Sequence, residues 1–317
     1  MRGVLLDFDT LDRDDLDLAR LDAALDGLNV HGLTQPDAVA GRLGEAEVAM
    51  TNKVRFDAAL LERLDRLRLI CLAATGSDNI DLAAAKRRGI AVTNVRGYCT
   101  AAIVQHVFAL ALNLTQHLEG YRRLIAGGAW QHSGRINLLD FPARELAGRT
   151  FGIVGYGTLG QAVASVAGAF GMRVMIAERR GDKSRAGRAA FETVLAEADI
   201  LSLHCPLTDA TRGLIGKDAL ARMKPDAILI NTARGAVVDT AALADALQAG
   251  RLGGAGIDVL PQEPPGDDEP LLRLDLPNLI ITPHVAWAAR EARQRAIDEM
   301  AANIRAFRAG EDRNRLV

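Results

Sequence analysis

Three polar side chains with complementary chemistry stand where short apolar runs of the sequence end. Arg234, Glu263 and His284 follow runs that end near residues 232, 258 and 282. Arginine holds a carboxylate through two parallel N–H···O bonds, a geometry that lysine lacks. Histidine titrates near neutral pH and can deliver a proton to a ketone oxygen. A carboxylate on its other ring nitrogen would fix its orientation and favour its protonated form. Together the three residues predict chemistry on a 2-keto or 2-hydroxy acid.

Each of these residues also has an ordinary interpretation. A lone arginine after a strand is often a surface charge or a helix cap, and a histidine after a proline is often a plain loop residue. Glu263 precedes two prolines and could simply be solvated. The catalytic interpretation is favoured because all three occur together in a segment that also carries a nucleotide-binding motif.

That motif lies in residues 149–178, RTFGIVGYGTLGQAVASVAGAFGMRVMIAE. A short apolar run leads into G-x-G-x-x-G, a helical stretch rich in alanine and valine follows, and a second apolar run ends at an acid. This order of strand, glycine turn, helix, strand and acid is the dinucleotide-binding fingerprint, in which the helix N-terminus faces the phosphates. The predicted cofactor contacts in this segment are Gly155, Tyr156, Gly157, Thr158, Leu159, Gly160, Glu178 and Arg179.

The choice between NAD and NADP depends on neighbouring residues of opposite charge. Glu178 stands where a carboxylate accepts hydrogen bonds from the adenosine ribose, which favours NAD. Arg179 and Arg180 come directly after it, and an arginine there can hold the 2′-phosphate of NADP. We expect NAD as the cofactor, with NADP possible.

The remaining pattern predicts two domains. Residues 1–98 alternate short apolar runs with helical segments of about ten residues, which is typical of a parallel sheet covered on both faces. A long helix is predicted over 100–126, and the alternation resumes from 150 to 282. The last helix, near 288–309, has the length to pack back on the first domain. The predicted division is 1–98 with 288–317 against a dinucleotide-binding domain at 99–287.

Composition excludes several classes of protein. The chain has 317 residues and a formal net charge of −2, so neither nucleic acid nor an anionic membrane is an expected partner. Its three cysteines are far apart and show no metal-binding or disulfide spacing. No apolar run approaches the ~18 residues of a membrane span. We expect a cytoplasmic protein without a metal site.

One short stretch near the N-terminus approximates another catalytic motif. Asp7-Phe8-Asp9-Thr10 is similar to the D-x-D-x-T nucleophile motif of haloacid-dehalogenase-like phosphatases. The threonine falls one residue early, and the glycine of that loop is missing. We therefore interpret Asp7 as a solvated strand end that precedes an acidic helix N-terminus.

With these residues in view, the chain resembles the D-isomer-specific 2-hydroxyacid dehydrogenases over essentially its full length. The family-level segments are 223–239 (MKPDAILINTARGAVVD), 256–259 (GIDV), 263–264 (EP) and 282–284 (TPH). Further segments are similar to the glycerate dehydrogenase, or hydroxypyruvate reductase, branch: 51–53 (TNK), 73–76 (AATG), 105–106 (QH) and 284–287 (HVAW).

The resemblance implies a Rossmann domain joined to a flavodoxin-like α/β substrate domain, in a homodimer built largely through the long helix after Thr100. It implies NAD(P)-dependent reduction of hydroxypyruvate or glyoxylate to D-glycerate or glycolate. The alternatives are another 2-keto acid on the same fold, or an NAD-sensing corepressor-like binding protein.

The resemblance also assigns residues. Backbone N–H groups of Thr75, Gly76 and Ser77 would share the substrate carboxylate with Arg234, and Asn52 and Lys53 are further polar candidates for substrate binding. The residues expected along the cofactor are Ile103, Cys205, Pro206, Thr208, Thr232, Ala233 and Asp258, of which Asp258 would hold the nicotinamide carboxamide.

Overall fold

The structure is a computed structural model that describes residues 1–317, and the chain divides into two compact units. The first unit combines Met1–Cys99 with Trp287–Val317, and the second is the continuous segment Thr100–Ala286. No helix in the chain is both long enough and apolar enough to cross a membrane.

The first unit alternates strands and short helices, followed much later in the chain by one long helix. Its elements are β1 (Arg2–Leu5), α1 (Ala19–Asp22), β2 (Gly27–Val30), α2 (Val39–Leu43), β3 (Val48–Thr51), α3 (Ala58–Leu61), β4 (Leu69–Leu72), α4 (Leu82–Arg87) and β5 (Ala91–Thr93). Short 3-10 turns lie at Phe8–Thr10 and Pro36–Ala38.

The second unit begins with three helices and then alternates. Its elements are α5 (Thr100–Gln116), α6 (Leu118–Ala126), α7 (Ala129–His132), β6 (Thr150–Val154), α8 (Thr158–Ala169), β7 (Arg173–Ala177), α9 (Phe191–Glu197), β8 (Ile200–Leu203), α10 (Lys217–Arg222), β9 (Ile228–Asn231), α11 (Thr240–Gln248), β10 (Gly254–Ile257) and β11 (Leu279–Ile281). Two 3-10 turns, Gly235–Val237 and Pro270–Arg273, complete it. The chain then returns to the first unit with α12 (Arg290–Arg308).

The first unit contains a five-stranded parallel sheet in the order β2-β1-β3-β4-β5. This is the flavodoxin-like order, in which successive strands are added on one side of β1 and then, from β3 onward, on the other. Strands β3 and β4 are buried along their whole length, as expected for a parallel sheet with both faces covered. Polar residues that follow β1 and β3 therefore meet at the edge where ligands of such sheets bind.

The second unit contains a six-stranded parallel sheet in the order β11-β10-β9-β8-β6-β7. Beyond β7, Ala189 forms an isolated parallel bridge with Ala177. If that bridge counts as a strand, the sheet contains the Rossmann order 3-2-1-4-5-6, with its third strand reduced to one residue and β11 added as a seventh strand beyond the sixth. Both domains are thus α/β with parallel sheets, which confirms the predicted fold class.

The long helix predicted over 100–126 is interrupted. His117 has a left-handed φ of 52°, and it separates α5 from α6. The segment after α7 is anchored by Phe141, whose ring stacks on His117 and meets Tyr121 edge-on. The sequence pattern does not reveal this break, because α5 and α6 each keep an apolar face and the apolar spacing of residues 100–126 continues across it.

Candidate functional site

The glycine loop joins β6 to α8 at the point where the order of the second sheet reverses. Gly155 has a φ of +93°, and a Cβ there would lie 2.6 Å from the backbone nitrogen of Cys205. Gly160 is equally restricted, since its Cβ would lie 2.1 Å from the carbonyl oxygen of Gly155. Gly157 differs from both, because a Cβ there would meet nothing within 4 Å. No side chain caps α8, so its first N–H groups are left for a ligand, and the open space at Gly157 suits the approach of a pyrophosphate.

Glu178 follows β7 and is buried, with 2% of its surface exposed. Its Oε1 accepts the backbone N–H of Arg179 at 2.9 Å. The guanidinium of Arg185 donates to both carboxylate oxygens at 2.6 Å. These hydrogen bonds, first from Arg185 and then from Arg179, lower the pKa of Glu178 to about 2. The sequence places Arg179 and Arg180 next to this acid, but the side chain that pairs with it is Arg185, which lies in a loop without any periodic pattern.

His284 and Glu263 form a direct pair at the carboxyl edge of the same sheet. His284 Nδ1 lies 2.6 Å from Glu263 Oε2, while Glu263 Oε1 accepts the backbone N–H of Leu260 at 2.9 Å. His284 adopts a left-handed φ of 55°, a conformation rare for residues other than glycine. Glu263 is thus tied to its own loop and orients the imidazole, with Nδ1 engaged and Nε2 on the opposite side of the ring.

Arg234 ends the turn that follows β9, and β9 is the strand that pairs with β10. Asn231 fixes this turn, because its side chain donates to the carbonyl of Arg234 at 3.0 Å and accepts the N–H of Ala233 at 3.0 Å. A Cβ on Gly235 would lie 1.9 Å from the carbonyl carbon of Leu260, so only glycine allows this contact between the two loops. The turn that carries Arg234 therefore packs directly on the loop that leads to Glu263.

Asp258 holds the turn in which His284 lies. Its carboxylate accepts the Thr282 hydroxyl at 2.5 Å and the backbone N–H groups of Val285 and Ala286 at 2.9 and 3.0 Å. Its backbone carbonyl accepts the N–H of His284 at 2.8 Å. A carboxylate offers about four acceptor positions, so one remains for a further donor such as a carboxamide.

His106 joins this network, although its position in the sequence predicts no role for it in the site. Its Nε2 lies 3.0 Å from the Thr282 hydroxyl and 3.6 Å from Asp258 Oδ1. Because the Thr282 proton is donated to Asp258, the hydroxyl accepts from His106, which places the imidazole proton on Nε2. The one feature of the sequence that could have indicated this role is that residue 106 lies on the polar side of α5.

The other predicted cofactor residues of the second unit lie at the carboxyl ends of its strands or on α5. Thr232 carries the one buried side-chain polar atom in the chain without a hydrogen-bond partner, its Oγ1. Buried hydroxyls normally have partners, so this group is available to a ligand. Ala233 is partly exposed, Ile103 and Cys205 are buried, and Pro206 and Thr208 are exposed.

The predicted substrate residues of the first unit lie after β3 and β4. Thr75 donates its hydroxyl to the carbonyl of Val95 at 2.7 Å, and Gly76 and Ser77 continue that loop. Asn52 is buried, and its amide donates to the Thr10 hydroxyl at 3.0 Å, whereas Lys53 is exposed. Of the two polar candidates after β3, only Lys53 presents its side chain at the surface of this unit.

Asp7 is not a solvated strand end, and that interpretation of the sequence is wrong. It is 2% exposed, and its carboxylate accepts the backbone N–H groups of Asn52, Lys53 and Val54 at 2.6–3.2 Å, together with the Thr51 hydroxyl at 3.1 Å. The sequence could not show this, because all four donors come from the end of a strand more than 40 residues away.

Three features occur together on this Rossmann sheet and define a class of protein. They are a glycine loop before an uncapped helix, a buried acid after the second strand, and a histidine–carboxylate pair at the edge. That class is the nicotinamide-dependent dehydrogenases.

Comparison with known proteins identifies the family. Residues 108–286 match the model of the D-isomer specific 2-hydroxyacid dehydrogenase NAD binding domain. A glycerate dehydrogenase of Methylorubrum extorquens is 45% identical over 279 residues, which cover 88% of each chain. A hydroxypyruvate reductase of Blautia hydrogenotrophica is 34% identical over 316 residues, which cover 98% of each chain. The crystal structure of the TT0316 protein from Thermus thermophilus matches with a TM-score of 0.83 and 37% identity over 100% of both chains.

The chain belongs to the D-isomer-specific 2-hydroxyacid dehydrogenase family. It is an NAD-dependent oxidoreductase of 2-hydroxy acids, which confirms the family, the enzyme class and the cofactor predicted from the sequence.

Proposed function

We propose that this enzyme interconverts hydroxypyruvate or glyoxylate with D-glycerate or glycolate, with His284 as the general acid and base and Arg234 as the carboxylate clamp. The observation that carries the mechanism is the 2.6 Å pair between His284 and Glu263 beside the Arg234 turn. The choice of substrate is supported by relatives named glycerate dehydrogenase and hydroxypyruvate reductase.

In the direction of reduction, His284 gives a proton from Nε2 to the ketone oxygen. Glu263 accepts a hydrogen bond from Nδ1 of His284, so the imidazole ring is held in one orientation throughout the proton transfer. Arg234 binds the substrate carboxylate through its planar fork, which aligns the keto carbon for attack. NADH, when bound, supplies the hydride. In oxidation, His284 takes the hydroxyl proton by the reverse step.

The residues of the second unit fit this cofactor. The open side of Gly157 and the uncapped start of α8 suit the pyrophosphate, and the orphaned Thr232 hydroxyl supplies a donor or acceptor at the end of β9. We assign the adenosine ribose to Glu178 and the nicotinamide region to Ile103, Cys205, Pro206, Thr208, Ala233 and Asp258. Asp258 would add a carboxamide contact to the three hydrogen bonds that its carboxylate already accepts.

We assign part of the substrate carboxylate to the backbone of Thr75, Gly76 and Ser77, and a second polar contact to Lys53. Asn52 supports the Lys53 loop indirectly, because its side chain donates to Thr10 and its backbone N–H donates to Asp7. In this proposal the first unit, residues 1–98 with 288–317 in the predicted division, is the substrate domain.

We also propose a homodimer formed through α5, α6 and the segment that follows α7. Ile136 and Leu139 are 93% and 83% exposed in the monomer, and Leu118, Ile125 and Trp130 add further exposed apolar surface. Exposed apolar side chains concentrated in one part of the chain are consistent with an interaction surface. Three buried, free cysteines fit a reducing compartment, so we place the enzyme in the cytoplasm.

The experiment that tests the function is initial-rate reduction of a panel of 2-keto acids with NADH, for the wild type and for His284→Ala. We expect hydroxypyruvate or glyoxylate to show the highest kcat/KM. The variant should lose about 10²–10⁴-fold in kcat, the usual contribution of a general acid, with NADH binding unchanged.

The matched variant is Glu263→Gln, which keeps the shape at Nδ1 but removes the anion. It should lose less kcat than His284→Ala and displace one limb of the pH–rate profile. Better turnover of phenylpyruvate than of hydroxypyruvate would refute the substrate. A His284→Ala enzyme within about threefold of the wild type would refute the mechanism.

A further inference from the structure

The adenosine-ribose end of the nucleotide site contains an ion pair that the family motif does not specify. Arg185 covers both oxygens of Glu178 at 2.6 Å, although its own side chain is 63% exposed. Arg188 Nη1 lies 3.8 Å from the same carboxylate, and its guanidinium lies 6.0 Å from the ring centroid of Tyr156 in the glycine loop. One buried acid therefore faces two arginines at the position where the ribose hydroxyls would bind.

The pair changes what Glu178 can do. A ribose diol donates two hydrogen bonds to the acid, yet Arg179 N–H and the Arg185 fork already use three of its about four acceptor positions. NAD can engage both oxygens only after Arg185 releases them. A 2′-phosphate has the opposite requirement, because it needs a cation, and a paired acid repels it far less than a bare one.

We propose that Arg185 is a specificity-determining residue for the nucleotide, which competes with the ribose of NAD for Glu178 and assists the 2′-phosphate of NADP. The inference rests on the proposed placement of the adenosine ribose at Glu178. Arg179 and Arg180, which directly follow the acid, are secondary in this assignment. Arg180 points to Glu192 at 3.7 Å, and Arg179 contacts the acid only through its backbone N–H.

The arrangement makes Arg185 a movable partner. Its long side chain is mostly in solvent, while Glu178 is fixed by burial and by the Arg179 N–H. When the guanidinium is released, the hydrogen bond from the Arg179 N–H still favours the ionised acid. Hydrogen bonds from Arg185 and Arg179 hold the pKa of Glu178 near 2, so protonation of the acid does not take part near neutral pH.

The test is direct binding of NADH and of NADPH to the full-length enzyme without keto acid, measured by calorimetry. Arg185→Ala should tighten NADH and weaken NADPH, so that the ratio Kd(NADPH)/Kd(NADH) rises on the order of tenfold, or about 1.4 kcal/mol. Arg185→Lys keeps the charge but loses the fork, and it should move the ratio part of the way in the same direction. The control is Lys183→Ala, which removes a charge from the same loop and should leave the ratio within about twofold.

A double variant separates competition from a general charge effect. In the Glu178→Gln background there is no carboxylate to release, so Arg185→Ala should no longer tighten NADH. An unchanged ratio in Arg185→Ala, or equal weakening of both nucleotides, would overturn the proposal. If the wild type binds neither nucleotide, the proposed nucleotide site itself is refuted. This outcome can be told apart from failure of the Arg185 proposal, because it is seen without any variant.

Discussion

Two buried aspartates, one in each unit, follow a strand and hold the loop after a neighbouring strand. Asp7 follows β1 and accepts backbone N–H groups from the loop after the neighbouring β3, while Asp258 follows β10 and accepts them from the loop after the neighbouring β11. The loop at Asp258 carries His284 in a left-handed conformation. The loop at Asp7 carries Lys53, with no left-handed residue. A buried aspartate that accepts backbone N–H groups thus fixes the loop of the proposed proton donor, His284, in one unit and the loop of the proposed substrate contact, Lys53, in the other.

Glu178 is equally buried, but an arginine side chain holds it in addition to one backbone N–H. A backbone N–H cannot leave its acceptor without local unfolding, whereas an exposed guanidinium can. Acids held only by the backbone and by a threonine hydroxyl should therefore act by fixing a loop, and an acid held by arginine should remain adjustable to a ligand.

Among variants of these buried acids, the largest effect on kcat is expected at Asp258. In Asp258→Ala the turn loses all its carboxylate contacts, and displacement of the His284 ring by about 1 Å can cost on the order of 10²-fold in kcat. The measurement is kcat and KM for hydroxypyruvate with saturating NADH. Thr282→Val removes only one of the donors and should lose considerably less. An Asp258→Ala enzyme with unchanged kcat would show that the turn is fixed by other contacts.

The parallel change in the first unit should affect a different parameter. Asp7→Ala frees the loop that carries Lys53, so KM for the keto acid should rise on the order of tenfold while kcat stays within about threefold. Asp7→Asn retains one accepting oxygen and should recover part of the loss. If Asp7→Ala instead lowers kcat as strongly as Asp258→Ala does, the two aspartates do not have the distinct roles inferred here.

The smallest effect concerns a carboxylate held by an arginine within the first unit. Asp15 accepts two hydrogen bonds of 2.7 Å from the buried Arg293 of α12, and these lower its pKa to about 2. Because the pKa in the folded state lies below the usual 3.8, the pair stabilises the fold above about pH 4 and loses this effect as pH falls towards 2. Asp15→Asn should therefore lower the urea midpoint at pH 7, and its difference from the wild type should shrink below pH 4.

The control for this measurement is Asp14→Asn, an exposed neighbour whose left-handed φ asparagine tolerates. It should leave the urea midpoint unchanged at every pH. A difference between wild type and Asp15→Asn that persists undiminished at pH 2 would show that the pair contributes through packing rather than through charge.

The sequence predicts the scaffold well, and it predicts side-chain contacts over long distances poorly. The parallel sheets and the strand ends at Arg234 and His284 follow from local periodicity and from a motif with a fixed structural context. The burial of Asp7, the single-residue third strand at Ala189 and the Arg185 pair depend on partners that no local pattern identifies. The break at His117 escaped prediction because α5 and α6 each keep an apolar face, so the apolar spacing continues across it.

The first unit is assembled from two separate pieces of the chain, and this has a consequence for biosynthesis. Its sheet pairs at Thr93 with Arg315, and α12 donates from Asn303 to the carbonyl of Asn94 at 2.8 Å. The ribosome releases these last residues only after the whole continuous second unit has been made. The second unit can thus complete its fold while the nascent first sheet still lacks its final helix. A truncation after residue 286 would accordingly remove part of the first unit's structure without deleting any residue of the nucleotide-binding unit.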